Sequence, residues 1–378
     1  MRVIFDARHL QTVSRTRGIG RYSRNLLAAF ARIAPREVDW TLLRLATFPR
    51  ADAQPLPPHR EVAVARLRRP ELSMLALDAL LLPLEIGWRG ADVYHSVQLG
   101  LPLAARARTV VTLHDLAPLR WPEHYLRLPH ARVGHMWQYA LAQRADAVIA
   151  PSHATARDAV ERLRIRPERV HVVPEAVDMS FAAPPRDEAR RIVRDRFAVP
   201  ERYVLYVGQF DPRKNMDGLL AAFARAAESD PALRLVIAGD MGKLAAYLRN
   251  ALARTRAPRD RAVVTGFVDD ATLAALYAGA ECLLHAALLE GFGLTPLESL
   301  AAGTPVVGYR AGAVEEVVGD AGLLVEASEP DALGDALVTY LSSPAVATEL
   351  RSRAPHRSSL FSWDRAARET LVVYRSVT

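Results

Sequence analysis

The segment HAALLEGFGLTPLESLAAGTPVV (285–307) carries two carboxylates, Glu290 and Glu298, eight positions apart, with Gly291 and Gly293 between them. Glycines let a backbone bend tightly and come close to a ligand. A helix predicted to begin near Pro296 follows. Free amides and the helix dipole at its N-terminus favour an anion such as a diphosphate. The carboxylates suit hydroxyl groups, from which they accept hydrogen bonds. Thr295-Pro296-Leu297-Glu298 also fits a capping box, with Thr295 as N-cap, Pro296 at the first helical position and Glu298 at the third. Capping would account for Glu298 but not for Glu290 or the two glycines, so the combination favours a site.

Arg213 and Lys214 follow the apolar run YVLYV (203–207) and supply cations for a diphosphate, although an Arg-Lys pair in a loop is by default solvated surface. Of 49 basic residues only Lys214 and Lys243 are lysines. A lysine here is then a choice of a compact point charge over the planar guanidinium fork. Lys243, in GDMGK, reads as surface or nucleotide rim. His114-Asp115 ends the run TVVTL (109–113), where an imidazole is poised for hydrogen bonding or proton transfer near neutrality. The alternative is a structural histidine capping a turn with Asp115. Gly18-Ile19-Gly20 precedes the first helix, but Ser23 stands where a dinucleotide fingerprint needs its third glycine, and the loop after Phe5 is too long. No Asp-x-Asp occurs, and His130 and His135 are five apart, off same-face helical spacing, so no metal is expected.

The elements that must position these residues read as two βα series. RVIF (2–5), TLLRL (41–45), VYHS (93–96), TVVTL (109–113), AVIA (147–150) and VHVV (170–173) form the first series of strands. YVLYV (203–207), RLVIA (234–238), AVVT (262–265), CLLH (282–285), PVV (305–307) and GLLV (322–325) form the second. The runs are apolar without alternation, as strands covered on both faces of a parallel sheet are. Helical patterns lie between them, one with the stripe Tyr22, Leu26, Phe30, Ile33. Two doubly wound domains follow, with a boundary in PEAVDMSFAAPPRDEARR (174–191) and a ligand expected in the cleft they face. ADAQPLPPHR (51–60) reads as a surface loop.

Composition narrows the class. The chain has 378 residues, is 50% hydrophobic and carries a net charge of +7. Residues 1–180 hold 26 basic and 17 acidic side chains, residues 181–378 hold 23 and 25, so the basic excess is N-terminal. The arginines are scattered and aromatics are 7%, which disfavours nucleic acid as a partner. The single Cys282 excludes an intramolecular disulfide and fits a reducing compartment. MRVIFDARHL begins no signal peptide, and Asp78, Pro83 and Glu85 break the one long apolar stretch (72–88). A cytoplasmic protein is expected. Arg66, Arg68 and Arg69 beside that stretch suit peripheral contact with a membrane, while the plainer reading is a core helix with a charged flank.

EGFGLTPLE resembles the E-x7-E motif of family 4 retaining glycosyltransferases with the GT-B fold. RGIGRYSRNLL (17–27), TLHDLAP (112–118), ADAVIAPSHAT (145–155), VVPEAVD (172–178), YVGQFDPRKN (206–215), VVTGFVDD (263–270) and GAVEEVVGDAGLLV (312–325) also resemble family stretches, in the family's order. The resemblance implies an N-terminal acceptor-binding domain (1–180), a C-terminal nucleotide-sugar domain (181–360) and a last helix (361–378) packed on the first. It implies that Glu290 faces the donor sugar, that amides near Phe292, Gly293 and Leu294 meet sugar and diphosphate, and that Glu298 binds ribose hydroxyls. Arg213 and Lys214 would hold the phosphates, with Gln209 standing where many relatives carry arginine. His114 would contact the reacting sugar or the acceptor, and the Gly18–Gly20 loop would lie near them, with Gly20 allowing close backbone approach. The implied reaction is metal-independent transfer with retention, without an enzyme nucleophile or cofactor. The style of the motifs is similar to bacterial mannosyl- and rhamnosyltransferases of surface-polysaccharide assembly. GDP-mannose is the first expectation for the donor and a lipid-linked saccharide for the acceptor. Rhamnosyl, glucosyl or N-acetylglucosaminyl transfer from a dTDP- or UDP-sugar, and a non-catalytic binding protein on the same fold, are the alternatives.

Overall fold

Thirteen strands make two parallel sheets in the computed structural model, which describes the chain except residues 17, 35, 47–55, 65–73, 88–89, 179–180, 200–201, 210, 240–243, 328 and 330. Lys243, Arg66, Arg68, Arg69 and residues 51–55 lie outside the described residues. Met1–Asp178 with Ser362–Thr378 form one unit and Met179–Phe361 the other.

The first unit holds β1 (Arg2–Asp6), β2 (Asp39–Leu45), β3 (His59–Val64), β4 (Val93–Ser96), β5 (Arg108–Thr112), β6 (Ala147–Ala150) and β7 (Val170–Val172). Their order is β3-β2-β1-β4-β5-β6-β7, every neighbouring pair parallel. The chain winds outward from β1 to β3 and then returns to the other side of β1 at β4. That reversal opens a crevice at the carboxyl ends of β1 and β4, where ligands of such sheets bind. Six of these strands match the apolar runs; β3 does not. His59 and Arg60, read as the end of a loop, belong to this edge strand. Its Val62 and Val64 are buried while Glu61 and Ala63 are exposed, so it shows no continuous apolar run.

Helix Gly18–Ile33 buries Tyr22, Leu26 and Phe30 against the sheet, with Ile33 half-buried. Helix Met74–Gly87 buries Asp78, Ala79, Leu82 and Ile86 and exposes Leu80 and Leu84. Asp78, which interrupts the apolar stretch in the sequence, is the buried counter-ion of Arg8. Among the described residues no helix is long and apolar enough to cross a membrane. Helix Trp363–Val377 packs in this unit. Trp363 Nε1 donates to the Val177 carbonyl at 2.9 Å, and the Tyr374 hydroxyl lies 2.6 Å from His95 Nδ1 on β4. His95 Nε2 meets the Thr112 hydroxyl at 2.8 Å, so one imidazole joins the last helix to two strands.

The second unit repeats the winding with β8 (Tyr203–Val207), β9 (Arg234–Ala238), β10 (Ala262–Gly266), β11 (Leu283–His285), β12 (Val306–Tyr309) and β13 (Gly322–Val325). The order is β10-β9-β8-β11-β12-β13, again parallel throughout, with the reversal between β8 and β11. At the ends of β8 and β9 the backbones nearly touch. A Cβ on Gly239 (φ 142°) would lie 2.0 Å from the Gly208 carbonyl oxygen, so only glycine serves there.

Burial sets a pH dependence in the first unit. It pushes the pKa of His95 down to about 3 and that of His9 down to about 4, against about 6.5 in an unfolded chain. Below 6.5 the unfolded chain takes up protons that the fold refuses. The stability contributed by the neutral rings is therefore complete above that pH and is lost as pH falls towards 4. The four tryptophans among the described residues, Trp40, Trp121, Trp137 and Trp363, belong to this unit, so their fluorescence reports its unfolding. The denaturation midpoint should be flat from about pH 8 to 7 and fall between about 6.5 and 4.5, each histidine contributing up to about 1.4 kcal/mol per pH unit. His95→Gln should lessen the fall; a midpoint constant down to about pH 4.5 would contradict the assignment.

Candidate functional site

The reversal of strand order in the second unit brings the loops after β8 and β11 together. After β8, Asp211 opens a one-turn helix Pro212–Lys214 and accepts the Arg213 amide at 3.0 Å. Asn215 (φ 48°) then caps helix Met216–Ser229 by accepting the Gly218 amide at 3.2 Å. The sequence DPRKN is thus a turn followed by a cap, and it holds two cations between two helices. The loop after β11 is tied to this turn, since the Leu288 amide donates to the Arg213 carbonyl at 2.7 Å. Behind it, the Ala313 amide donates to the Glu290 carbonyl at 3.0 Å. Gly312 (φ 60°) presses so close that a Cβ would lie 2.3 Å from the Glu290 carbonyl oxygen.

Clamped in this way, the buried Glu290 meets the half-buried Lys214, 76 residues away, in an ion pair through Oε1 and Nζ. His285 Nε2 lies 3.3 Å from the same oxygen, near enough for charge though not aligned as a hydrogen bond. Burial alone would raise the Glu290 pKa, but Lys214, His285 and Arg213 outweigh it and hold the carboxyl well below the usual carboxylate range. Arg213 Nε sits 3.3 Å from Asp211 Oδ2 in its own turn. Arg213, Lys214 and Glu290 are therefore one charge cluster. Gln209 is exposed at the strand end, its carbonyl accepting the Tyr206 hydroxyl at 3.5 Å.

The helix after this loop is Leu294–Ala301, starting two residues before the expected Pro296. The expected capping box does not form. Gly293 is the N-cap at φ 105°, no side chain caps the end, and Thr295 lies inside the helix. The glycine lets the chain turn into the helix early, which leaves the first-turn amides without a side-chain acceptor. Glu298 falls in the second turn rather than the first, buried, with Oε2 accepting the Tyr277 hydroxyl at 2.9 Å. The Phe292 ring packs edge-on against Phe361 at 5.7 Å, which leaves its main chain as the part near the site.

In the first unit a cavity of about 360 Å³ lies at the carboxyl ends of β1, β4 and β5. His114 and Asp115 line it, but they are not partners in a cap. His114 Nδ1 lies 3.0 Å from Glu175 Oε1 and Nε2 lies 3.0 Å from the Val97 carbonyl, while Asp115 Oδ1 accepts the Ala117 amide at 2.9 Å. Tyr22 stands edge-on to the His114 ring at 4.8 Å. Ser14 and Ile19 line the cavity, and Gly18–Gly20, expected as a loop before the first helix, forms the first turn of helix Gly18–Ile33. The close approach of Gly20 is to the chain's own turn, for a Cβ would sit 2.3 Å from the Ser14 carbonyl oxygen, whereas Gly18 has open space. Sequence reasoning missed Glu175, whose only signal was its place just after a strand, and missed Asp6, Arg8 and His9 at the end of β1. Among the described residues no group of three or more His, Cys, Asp or Glu could hold a metal ion.

Comparison with known proteins gives this geometry a family. The profile of glycosyl transferases group 1 matches residues 189–357, and that of Glycosyltransferase Family 4 matches residues 16–181. The chain is 30% identical over 264 residues to the serotype-specific mannosyltransferase WbdA of Escherichia coli, covering 69% of this chain and 32% of that protein. It thus spans about a third of the length of that relative. It is 27% identical over 375 residues to the O-antigen chain mannosyltransferase B of Escherichia coli, covering 95% of this chain and 96% of the other. A D-inositol 3-phosphate glycosyltransferase of Xylanimonas cellulosilytica is 31% identical over 78% of this chain and 70% of its own. Among solved structures, the sucrose-phosphate synthase of Thermosynechococcus elongatus superposes with a TM-score of 0.77 at 22% identity, over 100% of this chain and 98% of that one, a likeness of fold. Two Rossmann-like units, the charge cluster at the second switch point and these matches agree: the chain belongs to the group 1, family 4 glycosyltransferases of the GT-B fold.

Proposed function

We propose that this chain transfers a hexosyl group, mannosyl first, from a nucleoside diphosphate sugar to a saccharide or lipid-linked acceptor, with retention at the anomeric carbon. The observation that carries the reading is the part-buried Lys214–Glu290 pair in the loop that leads to the uncapped start of helix Leu294–Ala301. Negative charge develops on the departing diphosphate, and donors fixed in advance stabilise it without reorganising. Lys214 has three N–H donors, so it keeps Glu290 and still reaches a phosphate oxygen. Arg213 adds a second cation, and the amides of Gly293 and Leu294 add the field of a helix N-terminus. Glu290, held ionised, accepts hydrogen bonds from the donor sugar's hydroxyls, and Glu298 serves the ribose. His114, fixed by Glu175 and Val97, stands at the reacting sugar. Transfer runs by an ion-pair-like front-face route without an enzyme nucleophile, and these cations take the part that a metal would otherwise play. The mannosyltransferase relatives support GDP-mannose as donor and surface polysaccharide as the product class.

Incubated with GDP-mannose, UDP-glucose, UDP-N-acetylglucosamine and dTDP-rhamnose, each with a chelator and an acceptor extract, the protein should turn over one donor, GDP-mannose. No turnover with any of the four would sink the catalytic reading, and dependence on added metal would remove metal independence.

Lys214→Ala and Glu290→Ala should each lower kcat/KM by about 10²–10³-fold, as the loss of one preorganised charge-stabilising group does. Lys214→Arg should recover only part of it, because the guanidinium fork does not reproduce a compact ammonium. Wild-type rates in both alanine variants, measured on protein with an unchanged unfolding midpoint, would refute the roles given to this pair.

A further inference from the structure

We propose that the cavity of the first unit binds the terminal ring of an uncharged sugar through His9 and rejects a phosphorylated or otherwise anionic one. Naming that ring an acceptor rests on the glycosyltransferase reading above; the chemistry of the cavity does not.

His9 lies in the turn Arg8–Gln11 directly after β1 and is 2% exposed. Its main chain is engaged, the carbonyl accepting the Thr12 amide at 3.2 Å and the Thr12 hydroxyl at 3.0 Å. Neither ring nitrogen has a hydrogen-bond partner among the described residues. Two unmet polar atoms in a buried side chain are costly and call for an explanation, and this ring lines the cavity. Burial pushes the His9 pKa down to about 4, against the opposing pull of Asp6, with His114 and Arg8 also bearing on the ring. At neutral pH the imidazole is therefore uncharged, one nitrogen donating and the other accepting. Hydroxyl groups, which both donate and accept, satisfy both nitrogens. A phosphate dianion has acceptors only and leaves one nitrogen unmet.

The charge on the walls points the same way. Among the described residues lining the cavity, Arg8 is the only arginine or lysine, and four of its five N–H donors go to carboxylates. Asp6 takes its Nε at 2.8 Å and Nη2 at 2.6 Å, while Asp78 takes Nη1 at 2.6 Å and Nη2 at 3.0 Å. Two carboxylates against one guanidinium leave that group net negative, and Asp115 adds another carboxylate to the lining. At about 360 Å³ the cavity is near the lower end of small-ligand sites, ~300–1,000 Å³. It offers an anion no free cation among these residues, yet it has apolar surface from Ile19, Leu45 and Leu113 for a ring face.

The test uses the full chain and a panel of methyl α-glycosides (mannoside, glucoside, galactoside) with their 6-phosphates, followed by NMR of the histidine ring Cε1–H signals. The His9 signal is assigned by its absence in His9→Gln. At least one neutral glycoside should shift that signal and bind tenfold or more tightly than its phosphate, and His9→Phe should weaken it by tenfold or more. The proposal fails if a phosphate binds as well as its parent glycoside, if none of the glycosides binds, or if the wild-type His9 signal stays still at saturation. GDP titrated into the same protein separates the two readings: absence of GDP binding would overturn the donor assignment and leave the cavity result to be judged alone.

Discussion

A carboxylate taken out of water stays ionised only where a cation and hydrogen bonds offset its lost hydration. That constraint governs both switch points. In the first unit Asp6 and Asp78 close on Arg8, and in the second Glu290 closes on Lys214 with His285 and Arg213 beside it. The strand order is the same, the position at the strand ends is the same, and the balance of charge differs. One guanidinium between two carboxylates leaves the first site without a cation to offer. Lys214 and Arg213 against Glu290 and Asp211 leave the second balanced, with two cations at the strand ends and a histidine beside them. A shared topology thus supplies two crevices of different electrostatic character, one suited to a diphosphate and one to a neutral ring.

Such charges work only if the loops that carry them hold still, and here backbone contacts rather than side chains do the holding. Gly312 lies against the Glu290 main chain, Gly239 against Gly208, and Leu288 is bonded to Arg213. Any side chain at the two clamping glycines would push the strand-end loops apart. The same loops would then have to reorganise as charge developed, and most of the benefit of a preorganised site would be lost.

Much of this was legible in advance, for identifiable reasons. Strands buried on both faces announce themselves as apolar runs, so twelve of the thirteen were readable; β3 was not, because half of an edge strand faces water and its charges mask the pattern. Glu290, Lys214 and His114 stood out through residue type and placement after strands. Their partners did not. The Lys214–Glu290 pair and the Arg8–Asp78 pair span 76 and 70 residues and are made by sheet order, which no local spacing encodes. Thr295-Pro296-Leu297-Glu298 shows the reverse failure: a good local pattern for a cap, displaced because Gly293 adopts a left-handed backbone and begins the helix sooner. His9 escaped notice because burial and an unmet ring are properties of the fold alone.

Net charge is the clearest case of a global number yielding to local structure. Residues 1–180 carry nine more basic than acidic side chains, which suggests an anionic partner for that half. Yet several of its arginines are spent on neighbouring carboxylates, Arg2 on Asp92 and Arg108 on Asp146 at the surface and Arg24 on Asp178 half-buried. Exposed charges farther from the cavity than a Debye length, about 8 Å at physiological salt, are largely screened from it. What a ligand meets in the first unit is set by Arg8, His9, Asp78 and Asp115, with Asp6 paired to Arg8, a group in which acid outweighs base. The rarity of lysine yields to the same logic from the other side. Against 47 arginines, Lys214 sits against a buried carboxylate, where the proposed diphosphate would draw on the same donor group. An ammonium divides its three N–H bonds between directions that a planar guanidinium cannot cover at once.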